Sequence, residues 1–190
     1  MAHQSTSSAL LAVVVLIVAA PAVGAVVNPS FEDSPALTGW ATGGFERSAP
    51  CTDGVYAARG EVPLGTAGTE WLEQTFTMPA EHSACCVDLL YLGNEGGGND
   101  FAAWIGPAGD PAWWKDFGDD GTWAEIPGSL FKRYCLDLPG LGGQLVTVRF
   151  EVTSASNASM AMLVDNLHST PEPASLLVTA LAAAGLLRRR

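Results

Sequence analysis

Leu145-Val146-Thr147-Val148-Arg149-Phe150-Glu151-Val152-Thr153 alternates between apolar and polar side chains. Val146, Val148, Phe150 and Val152 point one way, and Thr147, Arg149 and Glu151 the other. That two-residue period marks a strand with one buried and one wet face. Working outward, short β-like runs recur at 71–78 (WLEQTFTM), 85–92 (CCVDLLYL), 101–105 (FAAWI), 130–138 (LFKRYCLDL) and 159–167 (SMAMLVDNL). Gly, Pro, Asn and Asp separate them, and no stretch between the chain's two ends has a helical period. Residues 64–68 and 95–100 are turn-rich, and 106–128 reads as one long or hairpin-containing loop. About eight short strands predict an all-β, antiparallel jelly-roll sandwich.

The ends are of another kind. Residues 9–20 (ALLAVVVLIVAA) form an unbroken apolar run that Pro21 closes, and Val23 and Ala25 stand where signal peptidase requires small residues. The run makes ~18 Å of helix against the ~30 Å of a bilayer core. It predicts a secretory signal helix over 1–25, cleaved after Ala25. At the other end, Pro171-Glu172-Pro173 precedes a 14-residue apolar helix former, 174–187, and then Arg188, Arg189 and Arg190. The flanking prolines keep Glu172 extended and open to a processing enzyme. The apolar part is suited to transient membrane insertion, its arginines held on the cytoplasmic side. Residues 26–170 are left as one domain, long enough for a core.

Setting both ends aside sharpens the charge. Of the 9 basic and 20 acidic residues, three arginines and one glutamate fall in the tail. Six basic against nineteen acidic residues remain, a balance near −13. That excludes nucleic acid and anionic lipid, which need clustered Lys and Arg, and suits cations and neutral ligands such as glycans.

The 4 cysteines, Cys51, Cys85, Cys86 and Cys135, match no zinc spacing, and an exported chain with an even number predicts disulfides. On a strand Cys85 and Cys86 face opposite sides. Three connectivities are open, and the expectation is that Cys51 and Cys135 bond separately to Cys85 and Cys86. Six tryptophans are many for one domain. Trp40 and Trp71 are expected in the core. Trp104, Trp113, Trp114 and Trp123, mixed with Asp110, Asp116, Asp119 and Asp120, read as a sugar-stacking platform. Trp113 and Trp114 are adjacent, so at least one of them is exposed. No nucleophile–base motif, HExxH or phosphate loop occurs, and the chain reads as non-enzymatic.

Two resemblances extend this reading. The last 20 residues resemble the PEP-CTERM sorting signal of Gram-negative bacteria. The resemblance implies an exosortase that recognises Pro171-Glu172-Pro173, an inner-membrane precursor, and a mature protein in the envelope, at the outer surface or in an exopolysaccharide or biofilm matrix. Within the domain, Val27-Asn28-Pro29-Ser30-Phe31-Glu32 with Gly39-Trp40, the Gln74-x-Phe76 strand, and Leu163-Val164-Asp165-Asn166-Leu167 resemble the opening, middle and closing strands of galactose-binding-like jelly rolls and carbohydrate-binding modules. This second resemblance implies a structural Ca²⁺ held by Glu32 and Asp165, with Asn28 or Asp53 as further ligands; paired carboxylates and hard oxygen donors suit that ion. Two functions stay open: a polysaccharide-associated binding module, or a structural surface protein with no specific glycan ligand.

Overall fold

The alternating stretch is the spine of one sheet. In the computed structural model, which describes residues 26–35 and 37–171, it lies within a strand from Leu145 to Ala155. The described residues form eleven strands: Ala41–Gly43 (β1), Glu46–Ser48 (β2), Ala57–Val62 (β3), Ala67–Thr77 (β4), His82–Leu92 (β5), Asp100–Pro107 (β6), Lys115–Asp116 (β7), Thr122–Glu125 (β8), Lys132–Asp137 (β9), Leu145–Ala155 (β10) and Met160–Pro171 (β11). They pair antiparallel in two sheets, ordered β1-β4-β10-β6-β7 and β2-β3-β11-β5-β9-β8. Sequence neighbours are often not sheet neighbours, as a jelly-roll sandwich requires. The loop 106–128 contains β7 and β8, one on each sheet.

The alternation decides what is buried. Val146, Val148, Phe150 and Val152 are fully buried, and Phe150 lies opposite Leu72 of β4 and Ala103 of β6. Each such side chain contributes about 1.5–3 kcal/mol by leaving water. Met160, Met162 and Val164 of β11 and Cys85, Val87 and Leu89 of β5 fill the core from the second sheet. After Asp165 the register of β11 slips against β5 and Asn166 takes a positive φ of 48°, the mark of a β-bulge. Beyond the bulge Leu167 returns to the core and donates its N–H to the Pro29 carbonyl. The last residue of β11, Pro171, lies opposite His82.

A third, partial layer covers the outer face of the β11–β5 sheet, where Ala57, Phe131 and Leu163 pack with Cys51, Leu90 and Ile126. This layer corrects the disulfide expectation. Cys86 and Cys135 face each other on β5 and β9 and form one bridge, while Cys51 and Cys85 are free thiols. Strand alternation sends Cys85 into the core, and Cys51 packs on the outer side, so the sheet itself separates them. Burial pushes the Cys85 thiol up to about 12.

The residues of the sequence-expected signal and tail lie outside the described residues, apart from Pro171. This covers the two expected terminal helices, Val23 and Ala25, Glu172 and Pro173, and Arg188, Arg189 and Arg190. Among the described residues no helix is long and apolar enough to cross a membrane.

Candidate functional site

In the β11–β5 sheet, β9 and β8 extend outward from β5, while β6 and β7 form the facing edge of the other sheet. A cleft of about 690 Å³ opens beside them, with Tyr91, Phe101, Trp104, Trp123 and Tyr134 as its aromatic lining. Three of these come from inward-facing strand positions. Trp123 of β8 is in register with Tyr134 of β9, and Tyr134 meets the Tyr91 ring edge-on at 5.9 Å. Tyr91 then packs on Phe101 of the opposite sheet at 4.9 Å. The rings thus bridge both sheets, and Trp123 stays 55% exposed at the mouth. Open faces of aromatic rings are the surfaces on which sugar C–H faces stack.

The polar lining is acidic: Glu95, Asp100, Asp116 and Asp119, with Asn94. Part of it builds the loop that supplies it. Phe117 is fully buried and its N–H bonds the Ala103 carbonyl at 2.8 Å, which pins the loop to β6. Asp116 accepts from the N–H groups of Gly118 and Asp119, and Asp120 accepts from the Asp116 N–H at 3.0 Å. Burial is the main cause that raises the Tyr91 hydroxyl pKa, followed by Tyr134, Asp116 and Glu95. Burial with Glu125 and Glu95 raises that of Tyr134. Both phenols therefore stay neutral and can donate a hydrogen bond.

A second concavity, about 480 Å³, lies on the outer face of the other sheet between Glu73, Trp104, Pro111, Trp114, Arg149 and Glu151. Arg149 pairs with Glu73 at 2.9 Å and with Glu151, and its guanidinium lies 4.9 Å from the Trp71 ring centre. Trp71 is therefore an outer-face residue and not core as expected. Its place on β4, opposite Glu151, fixes that. Trp40 is buried against Phe31 at 5.3 Å, as expected.

The four-tryptophan platform divides accordingly. Trp104 borders both concavities, Trp123 the cleft alone and Trp114 the outer face alone. Trp114 is half-buried over Gly106 and donates from Nε1 to the Pro107 carbonyl at 3.0 Å. Trp113 is 72% exposed and lines neither. Of the aspartates, Asp116 and Asp119 reach the cleft; Asp110 precedes the 3₁₀ turn Pro111–Trp113, and Asp120 holds the loop.

The nominated cation ligands do converge, but on peptide N–H groups. Asp165 is fully buried, and its Oδ2 accepts from the N–H of Thr52 at 2.5 Å and of Asp53 at 2.8 Å; Oδ1 takes the Asn166 N–H. Glu32 Oε1 accepts from Val55 and Tyr56 at 2.6 and 2.7 Å. Asn28 Oδ1 accepts from the Asp33 N–H, leaving its buried Nδ2, a donor, unpartnered. These oxygens already face N–H donors, so the donor set does not fit a calcium ion. Among the described residues no group of three or more His, Cys, Asp and Glu side chains is arranged to hold a metal. The two carboxylates instead fasten one loop, 52–56, from two sides.

Tyr91, Phe101 and Tyr134 went unread as site residues because strand periodicity assigns them to the core.

No protein-family model matches the chain, and no curated protein matches its sequence. The fold is nonetheless shared with solved structures. The carbohydrate-binding module TmCBM61, solved with β-1,4-galactotriose, aligns with a TM-score of 0.54 at 16% identity, over 77% of this chain and 97% of that one. A structure from a study of promiscuous specificity in carbohydrate-binding modules of the β-sandwich superfamily aligns with a TM-score of 0.51 at 16% identity, over 78% and 63%. At this identity the likeness establishes the β-sandwich fold.

Proposed function

We propose that this chain is an exported, non-catalytic polysaccharide-binding module of a Gram-negative envelope or its matrix, sorted through Pro171-Glu172-Pro173 by an exosortase-type enzyme. The observation that carries the binding reading is the open cleft whose rings come from both sheets, with neutral tyrosine hydroxyls and an amide beside them. Its volume suits a few sugar units. The fold shared with a galactotriose-bound module supports the same reading. His82 Nδ1 and Ser169 Oγ lie 2.7 Å apart, but this is a contact between neighbouring strands outside both concavities and favours no hydrolase.

Affinity electrophoresis against the producing organism's exopolysaccharide tests the binding. Retardation that is lost in Trp123→Ala supports it. Equal mobility with and without the polysaccharide leaves the ligand-free surface protein as the better reading. The sorting step is tested by the mass of the mature C-terminus in cells with and without the processing enzyme, which should differ by the tail.

A further inference from the structure

The two concavities differ in how their charges are balanced. On the outer face, Arg149 is paired with both Glu73 and Glu151 and offsets one of their two charges. In the cleft no Lys or Arg is among the lining residues, and none of the ion pairs among the described residues involves Glu95, Asp100, Asp116 or Asp119. Asp116 is engaged by its own loop, whereas the carboxylates of Glu95 and Asp119 accept no hydrogen bond from any described residue. A neutral sugar chain entering such a cleft would strip water from these carboxylates and return only weaker hydrogen bonds. A uronate would add repulsion. An ammonium group would instead meet charge-assisted acceptors and the faces of the rings. The Trp123 ring already accepts one such group, the Lys132 ammonium 4.0 Å from its centre.

We infer that the glycan taken by this cleft carries free primary amines, as a partly de-N-acetylated amino-sugar polymer does. The inference rests on the reading of the cleft as a glycan site and adds the class of sugar to it.

The test compares three oligomers of matched length by calorimetry with the full domain 26–171: a β-1,4-linked glucosamine oligomer, its fully N-acetylated form, and a uronate oligomer. Acetylation removes the charge and keeps the backbone. The free-amine oligomer should bind about tenfold or more tighter than the acetylated one, the margin of one charge-assisted contact. That margin should shrink when NaCl is raised from about 50 to about 500 mM, since salt screens exposed charges. Glu95→Gln with Asp119→Asn should remove the margin between the free and acetylated forms at an unchanged melting temperature, because neither carboxylate holds the fold together. Equal affinity for the free and acetylated forms, or binding of the uronate, overturns the inference and leaves the glycan site standing. No binding of any oligomer, with Trp123→Ala indistinguishable from the parent, overturns both.

Discussion

The Gln74 carboxamide closes two hydrogen bonds on the backbone of Val27, accepting from its N–H at 2.9 Å and donating to its carbonyl at 3.0 Å. The same amide nitrogen also reaches the Gly39 carbonyl at 2.9 Å. Gln74 is buried on β4, so one side chain ties the opening segment and the turn before Trp40 to the sheet. Gln74→Leu keeps the volume and leaves these backbone groups unpaired. The variant should lose about 2–4 kcal/mol, read as a shift of the urea midpoint at constant slope.

Acid should loosen the loop layer through Asp88. This carboxylate has no exposed side-chain surface; burial alone would raise its pKa, but the Arg133 fork, the Thr52 hydroxyl and the Asn166 amide together hold it below the ordinary carboxylate range. A lowered folded-state pKa gives stability that is present above the unfolded value of about 4 and lost as pH falls through the folded one. Neighbouring Asp165 works against it, since burial outweighs its N–H donors and raises its pKa, so its share is lost as pH rises. Asp88→Asn should be less stable at pH 7 by about 1–3 kcal/mol and lose less on acidification. Denaturation at pH 7 and pH 3 checks both.

Thiol counting separates the four cysteines. Native protein should take up one equivalent of alkylating agent slowly, at Cys51, whose thiol pKa is raised by burial and by Asp165, Glu32 and Asp53. The rate should climb with pH, because the thiolate is the nucleophile. Denaturation should expose Cys85 as a second thiol, and reduction should release Cys86 and Cys135. Two thiols labelled in the native state would contradict the burial of Cys85.

Chelation should leave the melting temperature unchanged. Asp165 Oδ2 and Glu32 Oε1 each accept from two N–H groups of the loop 52–56, which holds that loop in place without a cation. A fall in melting temperature on adding EGTA, reversed by calcium, would show that the loop rearranges around an ion.

Single tryptophan truncations should rank by position. Trp123→Ala and Trp104→Ala should each weaken glycan binding about tenfold or more, as loss of a stacking anchor does. Trp113→Ala should match the parent because its ring lines neither concavity.

The sandwich was legible because alternation over Leu145–Thr153 maps directly onto burial, and the Asn28, Gly39-Trp40, Gln74 and Asp165–Leu167 motifs are packed together by Gln74, Trp40 and Leu167. Short strands were not legible. β1, β2 and β7 have two or three residues each, too few for a period to show, and they exist through pairing with distant partners. The site was half legible. Composition singles out Trp104 and Trp123, but the tyrosines that complete the cleft depend on where one sheet's edge faces the other, which is a matter of register between distant strands. The same reason undid the Cys51–Cys85 pairing: adjacency in sequence told that Cys85 and Cys86 diverge, but not which side of the sheet Cys51 occupies.

The final strand has a mechanical consequence. β11 is hydrogen-bonded to β5 from Ala161 to Pro171, and to β3 over Met160–Val164. Tension applied through the C-terminus runs along this strand, at right angles to its hydrogen bonds, so the ladder resists by shearing many bonds at once instead of unzipping them in turn. Because Met162 of β11 lies opposite Tyr91 of β5, the same ladder ties the end by which the domain is gripped to one wall of its cleft.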